Sequence, residues 1–166
     1  MIRLMEISDL DIVGQIVNSD WKNVYSSYIN NELLSIEGCK KRKKEIEMEL
    51  LSGSLTNYVY EDAGIVKALL TFGKTADSDK SGAFEIWRIY VLQDFQGEGI
   101  GRSLLKFAEE QAVFSGFKEI VIWAFKENTK AVAFYKHYGY IEDKIMNLGE
   151  PYCTEGVRFC KIMKCV

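Results

Sequence analysis

The 166-residue chain has few of the residues that build metal sites, disulfide frameworks or extended linkers. It contains one proline and one histidine, His137, which argues against a Pro-rich linker and against a zinc site. Its four cysteines, Cys39, Cys153, Cys160 and Cys165, form no Cys-x-x-Cys pair. A chain of this size buries about 70% of its extended surface and does not depend on disulfides. We therefore expect free thiols, a reducing cytoplasmic location and no bound metal.

Long hydrophobic runs and an excess of positive charge are also missing. The longest apolar run, Ile120 to Phe125, is far shorter than the roughly 20 residues that span a bilayer. The first residues, MIRLMEISDLD, carry acids where a secretory signal needs a continuous apolar segment. The formal charge is −3, from 21 basic and 24 acidic residues, which argues against nucleic-acid binding. These features predict no membrane and no nucleic-acid partner, and an acidic surface favours cationic amines.

The hydrophobic pattern predicts one α/β domain over residues 1–166 with a mixed sheet. Two helical stretches follow a short first strand, and the period then changes to that of strands. The segment 73–82 is polar and predicts an exposed loop. A β-rich run over 83–91, a helix over 100–115, a buried strand over 119–125 and a helix over 129–138 come next. Two last strands flank the single proline.

The most informative segment is Gln96-Gly97-Glu98-Gly99-Ile100-Gly101, between a predicted strand and a predicted helix. Alternating glycines permit positive φ and a close backbone approach, and with a helix N-terminus they form an anion site suited to a pyrophosphate. A glycine-rich turn that only closes a strand–helix corner is the alternative. A dinucleotide fingerprint would need glycine at Arg102, and a P-loop would need one more residue before its second glycine and a lysine.

The spacing Gln96, Gly99, Gly101 resembles the acyl-CoA loop of the GNAT-type N-acetyltransferase superfamily. The segment 123–140 resembles the second signature of that family, with a strand, an asparagine, a Phe-Tyr pair and a Gly-aromatic pair in order. The two motifs have the order and separation expected for the family. Gln93 departs from the pattern, because many members have proline before the loop.

The resemblance implies a single-domain GNAT-like fold: a mixed, mostly antiparallel central sheet with helices on both faces and a splayed strand pair. The arm of acetyl-CoA, the co-substrate, would lie between the splayed strands, and backbone N–H groups around Val91 would polarise the thioester carbonyl. No metal is implied. The implied cofactor-binding residues are Ile89, Val91, Gln96, Gly97, Gly99, Ile100, Gly101, Arg102, Ser103, Asn128, Ala131 and Tyr135. Asn128 is also expected to cap the helix that follows it.

Two side chains carry the chemistry that the resemblance implies. Tyr135 occupies the Phe-Tyr position, where the phenol protonates the departing sulfur; a half-buried tyrosine packed for its ring is the alternative. Glu85 occupies a position where several members have a base glutamate, whereas an edge-of-strand carboxylate in solvent, or one paired with Arg88 or a lysine, is the alternative. Strand alternation predicts Glu85 on the face of Trp87, Ile89 and Val91.

The aromatic segment with Trp21, Tyr25 and Tyr28 has two interpretations, as core aromatics or as the lip of an acceptor site. The pattern Trp-x-x-x-Tyr resembles a branch with polyamine and small-amine acetylating members, and aromatic faces hold cations. The sequence thus predicts direct acetyl transfer from acetyl-CoA to a primary amine, such as a polyamine. A protein N-terminal acetyltransferase, a non-catalytic acyl-CoA sensor and a nucleotide-phosphate binder are the alternatives. His137 is expected at the surface, and the sequence leaves a monomer and a homodimer open.

Overall fold

Strands and helices follow one another in the computed structural model, which describes residues 1–163; Cys165 lies outside these residues. The helices are α1 (Leu10–Val24), α2 (Ile36–Ser52), α3 (Ile100–Phe114) and α4 (Thr129–His137). The strands are β1 (Ile2–Leu4), β2 (Thr56–Asp62), β3 (Ile65–Lys74), β4 (Phe84–Val91), β5 (Glu119–Phe125), β6 (Ile141–Asn147) and β7 (Glu155–Ile162).

The seven strands form one sheet in the order β1-β2-β3-β4-β5-β7-β6. All neighbours are antiparallel except β4 and β5, which are parallel and joined through α3. One apolar core joins the sheet to α3 and α4, and a second joins it to α1 and α2, so helices cover both faces. The predicted mixed, mostly antiparallel sheet is confirmed.

Local signals fix α2 and its place over the sheet. The Ser35 hydroxyl accepts a hydrogen bond from the Gly38 N–H at 3.1 Å and caps the first turn. The helix ends at Gly53, whose φ of 66° is the left-handed conformation that favours glycine. In its last turns Glu49 accepts two hydrogen bonds from Arg88 of β4, at 2.6 and 2.9 Å. This paired contact ties α2 to the central strand.

The strands β4 and β5 diverge in the middle of the sheet. They pair only where Phe84–Ile86 lies beside Ile120–Ile122. Beyond that point β4 stays paired with β3 and β5 stays paired with β7, so a gap opens between residues 87–91 and 123–125. The splayed pair implied by the resemblance is confirmed.

A β-bulge at Trp87 accompanies the gap. Arg88 pairs with Thr71, while Ile86 pairs with the next residue of β3, so Trp87 is an extra residue in β4. A bulge bends its strand and increases the local twist, which turns β4 away from β5.

The bulge also corrects the predicted face of Glu85. Ile86, Ile89 and Val91 all pack in the core beneath α3, although strict alternation would separate Ile86 from the other two. The prediction that Glu85 shares the face of Ile89 and Val91 is therefore wrong, because the extra residue shifts the alternation. Glu85 lies instead on the face of Tyr90, which packs with α1 and α2.

Candidate active site

Two cavities meet at the gap between β4 and β5. The loop cavity, of about 650 Å³, is lined by the glycine loop, the end of β4 and the start of α4. The sheet cavity, of about 470 Å³, is lined by β4, β5, α1 and the segment before β7. Five residues line both: Asp20, Ile89, Asn128, Ala131 and Tyr135. A molecule entering from the loop side therefore meets one entering from the sheet side at these residues.

The glycine loop adopts the conformation that its sequence predicts. Gly97 and Gly99 have φ values of 86° and 82°, and α3 begins directly after Gly99. The first N–H groups of a helix have no intrahelical acceptor and point outward, so the loop presents donors to an anion. Ser103 is different, because its N–H donates to the Gly99 carbonyl at 3.0 Å and its hydroxyl to the same oxygen at 3.1 Å. Both donors of Ser103, which the resemblance implies as a cofactor-binding residue, are therefore engaged within the helix, and the outward-facing backbone donors end at Arg102.

Other contacts hold the loop against the sheet. The Gln96 amide donates to the Val91 carbonyl at 3.0 Å, which ties the loop to the end of β4. At Gln93, where the sequence departs from the proline of the family pattern, the side-chain oxygen accepts a hydrogen bond from Asn23 of α1 at 3.1 Å. This contact with α1 supports the turn. Ile100 is buried in the core beneath α3 and does not line either cavity.

Tyr135 has a packed ring and an unengaged hydroxyl. The ring lies 5.8 Å from that of Phe159 and 6.0 Å from that of Tyr140, between centroids, and the residue is 8% exposed. Within residues 1–163 no protein group forms a hydrogen bond with its hydroxyl, although the residue lines both cavities. Burial, with a smaller contribution from Tyr90, raises the pKa of Tyr135 above its ordinary value. Packing accounts for the ring but leaves the hydroxyl without a structural role.

Asn128 forms the predicted cap of α4. Its side-chain oxygen accepts a hydrogen bond from the Ala131 N–H at 3.2 Å. The cap sets the start of α4 at the junction, since both residues line the two cavities.

Glu85 lies in the sheet cavity and is 5% exposed. Burial raises its pKa, the charge of Asp77 raises it further, and Thr75 opposes the shift. Arg88 pairs with Glu49, so the predicted alternative of a Glu85–Arg88 pair is wrong. Glu85 lies four positions before Ile89, which places it up to about 13 Å from the junction along the strand.

The three aromatic residues of the first half are divided by the structure. Trp21 and Tyr25 are buried at 9% and 7% exposure, yet both also line the sheet cavity, so core and wall coincide. The Trp21 indole N–H donates to the Tyr90 hydroxyl at 3.0 Å, which fixes its ring. Tyr28 lines neither cavity, and its buried hydroxyl has no partner among the described residues.

Asp20 is a site residue that the sequence reasoning missed. It is half-buried on α1 and lines both cavities. Burial raises the pKa of Asp20 to about 6, and the charge of Lys130 opposes the shift. Its position in the sequence is the signal that could have identified it, because an acid here interrupts the apolar helical stripe that contains Val17 and Trp21.

His137 is exposed, as expected. No helix within residues 1–163 combines the length and the apolar character needed to cross a membrane.

Comparisons with known proteins agree with this geometry. A spermidine N(1)-acetyltransferase of Thermoplasma acidophilum is 24% identical over 152 residues, covering 86% of this chain and 89% of the relative. The structure of PaiA N-acetyltransferase from Thermoplasma acidophilum in complex with coenzyme A superposes with a TM-score of 0.76 at 17% identity, covering 95% and 96% of the two chains. A ribosomal-protein-alanine N-acetyltransferase from Brucella melitensis superposes with a TM-score of 0.76 at 23% identity, covering 98% and 99%.

The model of the acetyltransferase (GNAT) family matches residues 21–140, well over half of the chain. This range includes the glycine loop, the gap between β4 and β5, and Tyr135. The chain therefore belongs to the GNAT family of acyl-CoA-dependent N-acetyltransferases.

Proposed function

We propose that this protein transfers the acetyl group of acetyl-CoA to the primary amine of a small cationic molecule, of which a polyamine is the reference case. The observation that carries the proposal is the junction of two cavities at the gap in the sheet. One cavity ends at an anion-binding loop and the other is lined by aromatic rings and carboxylates, which matches two substrates of different chemistry.

In this proposal the loop cavity holds acetyl-CoA. The N–H groups of Gly97 to Arg102 receive the pyrophosphate, because they lie at a glycine-rich helix start. The pantetheine arm runs through the gap beside the backbone of Ile89 and Val91, where β5 leaves β4 unpaired. An N–H near Val91 polarises the thioester carbonyl. The coenzyme A complex of the PaiA enzyme supports this assignment.

The transfer is a direct attack at the junction. The neutral amine nitrogen forms a bond to the carbonyl carbon, the C–S bond breaks, and Tyr135 gives its proton to the sulfur. A proton that leaves the amine nitrogen restores the phenol. The proton that the ammonium loses before attack passes to Glu85 through water, which spans the stretch of strand, up to about 13 Å, between Glu85 and Ile89. The net change converts an ammonium and a thioester into an amide, a thiol and one released proton.

The sheet cavity suits a cationic acceptor. Trp21 and Tyr25 present aromatic surface to it, and Asp20 and Glu85 supply carboxylates. The likeness to a spermidine acetyltransferase supports the same acceptor class.

A thiol-release screen tests the proposal. The purified chain is mixed with acetyl-CoA and with spermidine, putrescine, amino acids, aminoglycosides and N-terminal peptides, each at equal concentration. We expect the polyamines to give the highest kcat/KM. Faster acetylation of peptides would transfer the proposal to protein N-termini, and acidic metabolites outrunning the polyamines would overturn the acceptor class. Calorimetric binding of acetyl-CoA with no thiol release on any amine would identify a sensor, and displacement of CoA by ATP would identify a nucleotide binder.

A further inference from the structure

Among the described residues, Asp20 is the carboxylate that lines both cavities at the point where the proposed reaction takes place. It lines the loop cavity and the sheet cavity together with Tyr135 and Ile89, whereas Glu85 lines the sheet cavity alone. An acceptor nitrogen that attacks a thioester in the gap would therefore reach the surroundings of Asp20 before those of Glu85.

Two other carboxylates of the cavities, Asp77 and Glu127, are already engaged. Asp77 accepts hydrogen bonds from the Trp123 indole N–H and from Arg158, both at 2.8 Å. Glu127 accepts a hydrogen bond from the Thr154 hydroxyl at 2.7 Å. Asp77 is thus paired with a positive charge of the protein, and Glu127 has a hydroxyl donor.

Asp20 has no such partner. Within residues 1–163 it forms neither a hydrogen bond through its side chain nor an ion pair, although it is half-buried. A half-buried carboxylate without a donor is costly, since a charge taken from water needs a counter-charge or hydrogen bonds. A ligand ammonium in the cavity would supply both.

We propose that Asp20 binds the ammonium of the acceptor and holds its nitrogen at the junction, and so selects positively charged amines. The inference rests on the proposed function and deepens it, because it names the group that recognises the charge of the substrate. Glu85 keeps its separate role as the proton acceptor through water.

The surroundings of Asp20 set the pH range in which it can act. Lys130 of α4 faces it with a positive charge, and Tyr90 of β4 with Tyr25 and Tyr28 beyond α1 surround it with neutral phenols. Arg102 and Glu127 also line the loop cavity, and Asp77, Glu85 and Arg88 line the sheet cavity. Because burial raises the pKa of Asp20 to about 6, the carboxylate is charged at neutral pH and loses its charge as the pH falls through that value.

The test compares Asp20→Asn with Asp11→Asn, an identical change on the exposed side of the same helix. For spermidine we expect Asp20→Asn to raise KM by about 10- to 150-fold, the loss typical of one hydrogen bond to a charged group. The change in kcat is smaller, and the dissociation constant of acetyl-CoA is unchanged. Asp11→Asn leaves all three values at those of the parent.

Two further measurements separate charge recognition from a change in shape. The KM of the parent for spermidine should rise as the pH falls through about 6, since alkyl amines stay protonated there, and Asp20→Asn should lack this rise. An aromatic amine that is uncharged at neutral pH should show similar KM values in parent and variant. Equal losses for charged and uncharged amines, or a retained pH dependence of KM in Asp20→Asn, would overturn the inference.

Failure of the inference is distinguishable from failure of the proposed function. A parent protein that acetylates spermidine while Asp20→Asn matches it in KM refutes only the role of Asp20. A parent that acetylates none of the amines refutes the proposed function itself. Circular dichroism and acetyl-CoA binding of Asp20→Asn confirm that the variant is folded when the KM values are compared.

Discussion

Replacing Tyr135 with phenylalanine removes one oxygen atom from the junction of the two cavities. The ring contacts with Phe159, Tyr140 and Phe134 need no change, because all of them involve the ring. The hydroxyl has no hydrogen-bond partner within residues 1–163, so no protein hydrogen bond is lost. We therefore expect the free energy of unfolding to change by less than about 1 kcal/mol.

The effect on catalysis should be much larger. A general acid contributes about 10²- to 10⁴-fold to a rate, which corresponds to about 2.7 to 5.5 kcal/mol of activation free energy. Tyr135→Phe should lower kcat by this factor while the dissociation constant of acetyl-CoA changes less than about twofold, because the ring that borders the arm is retained. Thiol-release assays give kcat, and calorimetry gives the dissociation constant of acetyl-CoA.

The pH dependence adds a check on the assignment. Since burial raises the pKa of Tyr135, the phenol keeps its proton through the range where an ordinary tyrosine ionises, and the parent should not lose activity there through this group. Tyr60→Phe is the matched control, because Tyr60 lies on β2 and lines neither cavity. If Tyr135→Phe kept activity within about twofold of the parent, Tyr135 would be a packing residue only.

Three further changes address the loop, the base and the aromatic segment. Gly99→Val, at a φ of 82°, should weaken acetyl-CoA binding in calorimetry. The control Gly116→Val, at a φ of 80° outside both cavities, should lower the free energy of unfolding by a similar amount with no loss of acetyl-CoA affinity. Equal affinities in the two variants would contradict the loop assignment. Glu85→Gln should depress the rate most near neutral pH, where the amine depends on a protein base to lose its proton, and should be partly rescued at high pH, where solvent base removes that proton. Parallel pH–rate profiles for parent and variant would remove Glu85 from the mechanism. Tyr28→Phe should leave the free energy of unfolding unchanged or raise it by about 1 kcal/mol, because it removes a buried hydroxyl without a partner. A marked drop in the melting temperature would show instead that the hydroxyl makes a stabilising contact.

The sequence was most informative where function depends on local backbone. The positive φ of Gly97 and Gly99 and the cap at Asn128 follow from residue type and position, and the structure has all three. The face of Glu85 could not be predicted, because a one-residue bulge at Trp87 leaves no pattern in the sequence.

Long-range partners were also beyond sequence reasoning. The segment 73–82 predicts an exposed loop, yet β3 continues to Lys74, and Arg158 binds Asp77 and Asp79 of this segment at 2.8 Å. Such a contact joins residues that are about 80 positions apart, and only the folded sheet brings them together. The same limit applies to Asp20, whose importance appears only when two cavities are seen to share it.

The short pairing of β4 with β5 has a consequence for the sheet as a mechanical unit. Within residues 1–163, the backbone ladder between the half formed by β1 to β4 and the half formed by β5 to β7 consists of three residue pairs. An extended chain of amides bound in the gap would act as a short additional strand and complete the ladder between the halves. Its binding would then raise the free energy of unfolding, by about 2.7 kcal/mol when the ligand concentration is a hundred times the dissociation constant. The acyl donor would thus stabilise the fold as well as react, and the resistance of the protein to proteolysis would increase with the concentration of the donor.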